Sequence, residues 1–128
     1  MPSTRIETRR GWIDGQRGAV IEAVQRALMT GILIPENDRC IRLVEFEEDA
    51  MMVPPHVGER YMVIEISLFT GRTIEAKRRL YAALVMELAV FGLAANDVKV
   101  ILHEVPRENW GLRGLPGSEI ELGFKVDV

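Results

Sequence analysis

Residues 61–102 read YMVIEISLFTGRTIEAKRRLYAALVMELAVFGLAANDVKVIL, and the order of patterns in this stretch predicts most of the architecture. Tyr61–Phe69 is the most strand-like run in the chain, because β-branched and aromatic residues are frequent in it. Thr73 has the side chain of a good helix N-cap. The residues that follow place an apolar stripe on one face of a helix, at Leu80, Tyr81, Leu84, Val85 and Leu88.

The end of this stretch returns to a strand. Gly92 is expected to end the helix, and Asn96-Asp97 to form a turn. Alternating apolar residues then predict a strand, at Val98, Val100 and Leu102. A helix between two strands is the crossover that lets the strands pair in parallel, so residues 61–102 predict a βαβ unit.

The first half of the chain repeats this pattern. Gly11-Trp12-Ile13 has its counterpart 60 positions later in Gly71-Arg72-Thr73, and Asn37-Asp38 has its counterpart 59 positions later in Asn96-Asp97. The chain therefore contains two copies of one supersecondary unit. The copies differ in that only the first can offer a proline close to the amino terminus.

The elements of the first unit follow from the same signals. Residues 3–8 read as a short strand, residues 13–30 as a helix and residues 41–46 as a second strand. Gly31 is a plausible stop for the helix. Pro54-Pro55 indicates a loop before the second unit begins.

These elements predict an α+β fold with one domain over residues 1–128. Its two βαβ units, about 2–60 and about 61–128, should form one four-stranded mixed sheet with both helices on one face. A C-terminal strand is expected where apolar residues alternate with others, at Ile120, Leu122, Phe124 and Val126. The second face of such a sheet needs cover, which favours an oligomer.

Composition excludes several classes of protein. Hydrophobic residues make up 48% and charged residues 27% of the chain, which is ordinary for a globular protein rather than a disordered one. A net charge of −3 disfavours nucleic acid as a partner. No apolar run approaches the ~20 residues of a membrane span, and no signal peptide or metal-ligand spacing is visible. We expect a cytoplasmic protein that needs no cofactor or metal and binds neither nucleic acid nor membrane.

Pro2 is the first candidate for chemistry. Methionine before a small second residue is normally removed, which would leave proline as a secondary amine at the amino terminus. Burial against apolar walls or beside a cation disfavours the ammonium form of such an amine. The amine could then act as a general base near neutral pH. Met-Pro beginnings are also common in proteins where they have no function.

Arg72 and Asp38 are the next candidates. Arg72 lies at the entrance of the second helix, where the helix dipole disfavours a cation. A guanidinium in that place suggests an anion site or, alternatively, a solvated surface residue. Asp38 has a counterpart in Asp97, which favours a structural role in the turn, but Asp97 is not followed by an equivalent of Arg39.

Two further residues have open interpretations. Trp110 lies in a loop and either walls a pocket or packs on the sheet. Cys40, the single cysteine, has no activating histidine near it in sequence and is expected to be a small core residue.

Together these residues make the chain resemble the tautomerase superfamily, specifically the branch of malonate semialdehyde decarboxylase-like proteins. The resemblance covers almost the whole chain and rests on four segments. They are Met1-Pro2, Asn37-Asp38-Arg39, FTGRTIEAKRRLY at residues 69–81 and VPRENWG at residues 105–111.

The resemblance implies a 4-oxalocrotonate tautomerase-like fold and a homotrimer in which the tail strand reaches a neighbouring subunit. Pro2 would be the catalytic amine, Asp38 would position the reacting group or water, and Trp110 would line the pocket. Arg72 would bind the substrate carboxylate.

One position departs from the pattern of the decarboxylase. Thr70 stands where the decarboxylase carries a second arginine. Arg113 is then the candidate for supplying the missing cation. Both Thr70 and Arg113 are expected near the substrate, and the departure favours tautomerisation over decarboxylation.

The resulting hypothesis is a cofactor-independent isomerase acting on small 2-keto or enol carboxylic acids, with Pro2 as the base. One alternative is a decarboxylase or hydratase in which a cationic Pro2 donates a proton. A second alternative is a non-catalytic trimeric binding module.

Overall fold

The computed structural model describes residues 1–128, and its sheet has the predicted topology. The four strands have the order β2-β1-β3-β4. The β1–β2 and β3–β4 pairs are parallel, whereas β1 and β3 are antiparallel. The main elements are β1 (Ser3–Arg9), α1 (Arg17–Ile32), β2 (Ile41–Phe46), β3 (Met62–Phe69), α2 (Ile74–Ala89) and β4 (Val98–Val105). The predicted α+β fold with two βαβ units is confirmed.

The core lies between the sheet and the two helices. On β3, alternate side chains face the helices and are completely buried, namely Met62, Ile64, Ile66 and Leu68. Ile6 of β1 pairs with Ile64 and is equally buried. Burying these side chains removes a large apolar area from water, which is the main force that holds the helices on this face.

The first helix begins and ends later than predicted. Gly11 and Gly15 both have positive φ values, of 111° and 79°, so the chain forms turns before α1 begins at Arg17. Gly31 does not stop the helix, because α1 continues to Ile32 and ends with Leu33 in the left-handed conformation.

Gly31 instead allows the two helices to approach each other. A Cβ atom at Gly31 would lie 2.5 Å from the Cα atom of Leu80 in α2. No side chain fits at that distance, so this glycine is required for the α1–α2 contact. The second helix begins as predicted, with the Thr73 hydroxyl accepting a hydrogen bond from the amide of Ala76.

The expected C-terminal strand is wrong. Residues 120–128 pair with no strand, and a short hairpin precedes them, formed by β5 (Gly111–Leu112) and β6 (Leu115–Pro116). The tail folds back to the start of α2, where Val126 is buried against Gly71. The carbonyl of Val128 accepts hydrogen bonds from Thr73 and Arg79. Of the alternating apolar residues, only Val126 is buried in this way, whereas Ile120, Leu122 and Phe124 are half-buried and line a depression.

The sheet face opposite the helices has no cover within the chain. It carries charged and polar side chains at Arg5, Glu7, Glu65 and His103, with Ile101 exposed among them. Nε2 of His103 and Oε1 of Glu65 lie at hydrogen-bond distance there, 2.8 Å apart. Neither helix is long and apolar enough to cross a membrane.

Candidate active site

A surface depression of about 320 Å³ lies where β1 begins and β2 begins, two neighbouring parallel strands. Because the strands are parallel, both begin at the same end of the sheet, where the β5–β6 hairpin meets them. The depression is lined by Met1, Pro2, Ser3, Asp38, Cys40, Trp110 and Leu112. Three of the predicted site residues, Pro2, Asp38 and Trp110, are thus brought together.

Pro2 forms the buried wall of this depression. Its side chain is buried, whereas Met1 is partly exposed above it. The amino nitrogen of Met1 lies 3.4 Å from Oδ2 of Asp38. The amino-terminal end of the chain therefore lies in the site, beside a carboxylate.

Asp38 is held in place through its backbone rather than its side chain. Its amide donates to the carbonyl of Pro35, and its carbonyl accepts a hydrogen bond of 3.1 Å from Nε2 of Gln25. The Asp38 side chain is only 10% exposed, and its buried Oδ2 atom makes no hydrogen bond. The neighbouring Arg39 turns away and forms an ion pair with Glu22 on α1. The Asp38 carboxylate is therefore left facing the amino terminus.

Arg72 is buried and incompletely paired. It is 6% exposed, and its Nη1 donates hydrogen bonds of 3.2 Å to the carbonyls of Ile32 and Lys125. Its Nε and Nη2 atoms are buried without a partner. These two nitrogens form one edge of the guanidinium, the arrangement that binds a carboxylate with two parallel hydrogen bonds. Leaving charged donors buried and unpaired is unfavourable, and an anion on that edge would relieve the cost.

The tail separates Arg72 from the depression surface. Arg72 does not line the depression, because Lys125 and Val126 pack over the start of α2. Its charge nevertheless acts on the amino terminus. Burial lowers the pKa of the Met1 amine, Asp38 opposes that change, and the charges of Arg72 and Arg107 lower the pKa further. Burial also lowers the pKa of Arg72 itself, with Asp38 again opposing the change.

Trp110 is a wall of the pocket and also packs on the sheet, so both interpretations of this residue hold. Its ring meets the buried ring of Phe69 edge to face, with centroids 5.1 Å apart. The guanidinium carbon of Arg107 lies 5.5 Å from the centre of the same Phe69 ring. Phe69, at the end of β3, therefore contacts Trp110 through its ring edge and Arg107 through a cation–π contact.

Two predicted substrate-binding residues lie outside the depression. Thr70 is exposed and donates its backbone amide to the carbonyl of Val105. Arg113 is exposed at the turn of the hairpin, with a φ of 53°. Their substrate-binding roles remain predictions.

Two further residues of this region differ from what the sequence suggested. Cys40 is exposed and lines the depression, so its expected place in the core is wrong. Arg107, whose charge acts on both the amino terminus and Arg72, was missed. Its position three residues before Trp110, in the segment that carries the resemblance, was the available signal.

Comparisons with known proteins agree with this geometry. A family model described as "Tautomerase enzyme" matches residues 38–113, which is more than half of the chain. A probable tautomerase of Ralstonia nicotianae is 40% identical over 57 residues, which are 44% of this chain and 81% of that protein.

Solved structures agree as well. The FG41 malonate semialdehyde decarboxylase inhibited by 3-bromopropiolate is 31% identical, with a TM-score of 0.72 over 85% of this chain and 87% of that one. A fused 4-OT, described as an asymmetric trimer, is 22% identical, with a TM-score of 0.81 over 91% of this chain and 96% of that one. The resemblance drawn from the sequence is confirmed, and the chain belongs to the tautomerase family.

Proposed function

We propose that this protein is a cofactor-independent tautomerase of small 2-keto or enol carboxylic acids, with Pro2 as the base. The observation that carries the proposal is the buried, half-paired guanidinium of Arg72, whose charge reaches the amino terminus. An anion clamp and a weakly basic amine are the two components that enolisation of a 2-keto acid requires.

The reaction would be one proton transfer followed by its return. The lone pair of the neutral Pro2 nitrogen takes a proton from the carbon beside the ketone or from the enol hydroxyl. When a C–H bond breaks, its electron pair forms the carbon–carbon double bond and the carbonyl oxygen becomes negative; when the enol O–H bond breaks, its pair stays on that oxygen. Either step gives the same enolate and a cationic Pro2. Pro2 then returns the proton to a different atom of the substrate. Nothing is oxidised or reduced. Arg72 would hold the carboxylate throughout, which requires the tail at Lys125 and Val126 to move away from its unpaired edge.

The environment of the amino terminus suits a base. Burial and two cations lower the pKa of the amine at Met1, and the same groups would surround Pro2 once Met1 is removed. A lower pKa leaves more of the amine neutral near pH 7. Asp38 works in the opposite direction and would stabilise the cationic Pro2 that forms during the reaction. Trp110 would exclude water on one side of the pocket.

A homotrimer is the assembly we propose. The sheet face opposite the helices is uncovered within the chain and exposes Ile101. The fused 4-OT that shares this fold is described as a trimer. In a trimer, other copies of the chain would cover this face. Sedimentation or light scattering would then give three times the mass of the chain.

The proposal is tested with Pro2→Ala and with a variant that retains Met1. Ketonisation of the enol of phenylpyruvate is the assay. Both variants should lose about 100-fold or more of kcat/KM, because the secondary amine is either absent or blocked. Unchanged activity in both variants would refute the proposal.

A decarboxylase is the second candidate, favoured by the 31% identity to malonate semialdehyde decarboxylase. In that case Pro2 would be cationic at neutral pH and would donate a proton to the carbon that loses carbon dioxide, with Asp38 assisting. The pKa of the Pro2 amine distinguishes the two candidates. A value of roughly 6 fits the base and a value of roughly 9 fits the acid, as read from the pH dependence of the rate and of amine labelling.

A further inference from the structure

Arg107 is a cation that the mechanism above does not use. It begins the short helical turn Arg107–Asn109 after β4, and its guanidinium lies over the ring of Phe69. Its backbone is held by a tight contact, because a Cβ atom at Gly117 would lie 2.9 Å from the carbonyl oxygen of Arg107. The Phe69 ring that it covers also packs on Trp110, a wall of the depression.

The charge of Arg107 has no partner of its own. Arg107 takes part in none of the ion pairs of the chain, although six other arginines do. Two guanidiniums, those of Arg72 and Arg107, and a single carboxylate, that of Asp38, act on the amine. Arg107 also lines a second depression, in which Glu121 is the only carboxylate. Like charges repel, so the arrangement is favourable only if further negative charge enters the site.

We propose that Arg107 binds the substrate oxygen that becomes the enolate, while Arg72 binds the carboxylate. This inference rests on the proposed function. After the proton transfer, Pro2, Arg72 and Arg107 each carry one positive charge. Asp38 carries one negative charge and the substrate carries two, one on its carboxylate and one on the enolate oxygen. These charges cancel only when Arg107 is included.

The alternative cation, Arg113, does not have these properties. It lies exposed at the tip of the hairpin, and its charge is not among those that act on the amino terminus or on Arg72. Arg107 therefore takes the role that the sequence suggested for Arg113, and compensates for the threonine at position 70.

The test compares Arg107→Gln with Arg107→Lys and with the control Arg10→Gln, because Arg10 is exposed, is paired with Glu47 and lies at the end of β1 opposite Pro2. Steady-state ketonisation of the enol of phenylpyruvate gives kcat and KM. Inhibition by oxalate and by lactate is measured in parallel. Oxalate is a dianion about the size of a 2-keto acid enolate, and lactate is a monoanion of similar size.

Arg107→Gln should lower kcat by about 100-fold and change KM less than about threefold, because the interaction strengthens only as the oxygen becomes charged. It should raise the inhibition constant of oxalate about tenfold or more and leave that of lactate nearly unchanged. Arg107→Lys should recover part of kcat, and Arg10→Gln should match the wild type. Thermal unfolding of each variant identifies any loss of folded protein.

Three results would overturn the inference. They are equal kcat values for Arg107→Gln and Arg10→Gln, a loss confined to KM, and an equal rise in the inhibition constants of oxalate and lactate. Pro2→Ala, assayed beside them, separates the two proposals. If Pro2→Ala is inactive while Arg107→Gln behaves as the wild type, only the role of Arg107 is wrong. If Pro2→Ala is fully active, the proposed function is wrong as well.

Discussion

Asp38 and Asp97 occupy equivalent turns in the two βαβ units and have opposite environments. Both carboxylate oxygens of Asp97 accept hydrogen bonds of 2.8 Å, one from the amide of Gly58 and one from the amide of Ala94. Oδ2 of Asp38 has no hydrogen bond and faces the amino terminus. The repeat therefore uses one carboxylate to close a turn, and leaves the other available for chemistry.

Trp12 and Arg72, which follow the equivalent glycines of the two units, differ in the same way. Gly11 and Gly71 both have positive φ, of 111° and 131°, which confirms that they are equivalent. Nε1 of Trp12 donates to the hydroxyl of Thr8, so this side chain is paired within its own unit. Arg72 instead keeps two donors unpaired. Buried polar atoms without a partner thus distinguish Asp38 and Arg72 from their counterparts Asp97 and Trp12 in the other unit.

The largest effect on kcat/KM is expected from substituting Arg72, with its counterpart Trp12 as the comparison. Arg72→Gln should lower kcat/KM by about 100- to 1,000-fold, because the carboxylate loses its charged clamp. Trp12→Phe removes the hydrogen bond to Thr8 and reduces the ring that faces Arg60, and it should leave kcat/KM within about threefold of the wild type. Steady-state kinetics of both variants checks this. Similar losses in the two would show that the units do not differ in this respect.

The aspartates should differ in stability. Asp97→Ala leaves the amides of Gly58 and Ala94 without acceptors and should lower the free energy of unfolding by about 2–3 kcal/mol. Asp38→Ala removes a buried oxygen without a hydrogen bond and should change that free energy by less than about 1 kcal/mol. Urea unfolding at fixed pH measures both. A larger loss for Asp38→Ala would contradict the proposed division of roles.

The same aspartates should differ in their effect on pH dependence. Asp38 raises the pKa of the amine, so Asp38→Asn should lower it, and the neutral base should persist to lower pH. The acidic limb of kcat/KM should then move down by up to about one pH unit. Asp97→Asn is the control and should not move the limb. If the acidic limb of Asp38→Asn moved to higher pH, the predicted effect of Asp38 on the amine would be contradicted.

The smallest effect is expected at the residue that positions Asp38. Gln25→Leu removes the hydrogen bond to the Asp38 carbonyl and should lower kcat/KM by about 3- to 10-fold through misplacement of the turn. Gln16 is the matched control, because its Nε2 donates to the carbonyl of Trp12 at 3.0 Å, away from the site. Gln16→Leu should leave kcat/KM unchanged. Equal values for the two variants would mean that Gln25 has no positioning role.

Most of the fold was predictable because the spacing of apolar residues along a helix or strand indicates which of its sides is buried. The strand at 41–46 and the N-cap at Thr73 were predicted at the observed positions. Gly31 was misread because a glycine that ends a helix and a glycine that admits a neighbouring helix look alike in sequence. Only the contact with Leu80 distinguishes them.

The candidate site was predictable in part. Pro2, Asp38 and Trp110 lie together, as the resemblance implied. Arg107 and the covering of Arg72 by the tail could not be predicted, because both depend on how segments distant in sequence fold over the start of α2. The alternation at residues 120–126 predicted a strand, whereas the tail forms none and buries only Val126 of its alternating apolar residues.

The intact mass of the active protein isolated from its native cell, compared with the mass encoded by the sequence, decides whether Pro2 can serve as an amine. We predict a chain lighter by one methionine residue, with the Pro2 nitrogen free. A fully active preparation that retains Met1 would contradict the proposal that Pro2 is the base.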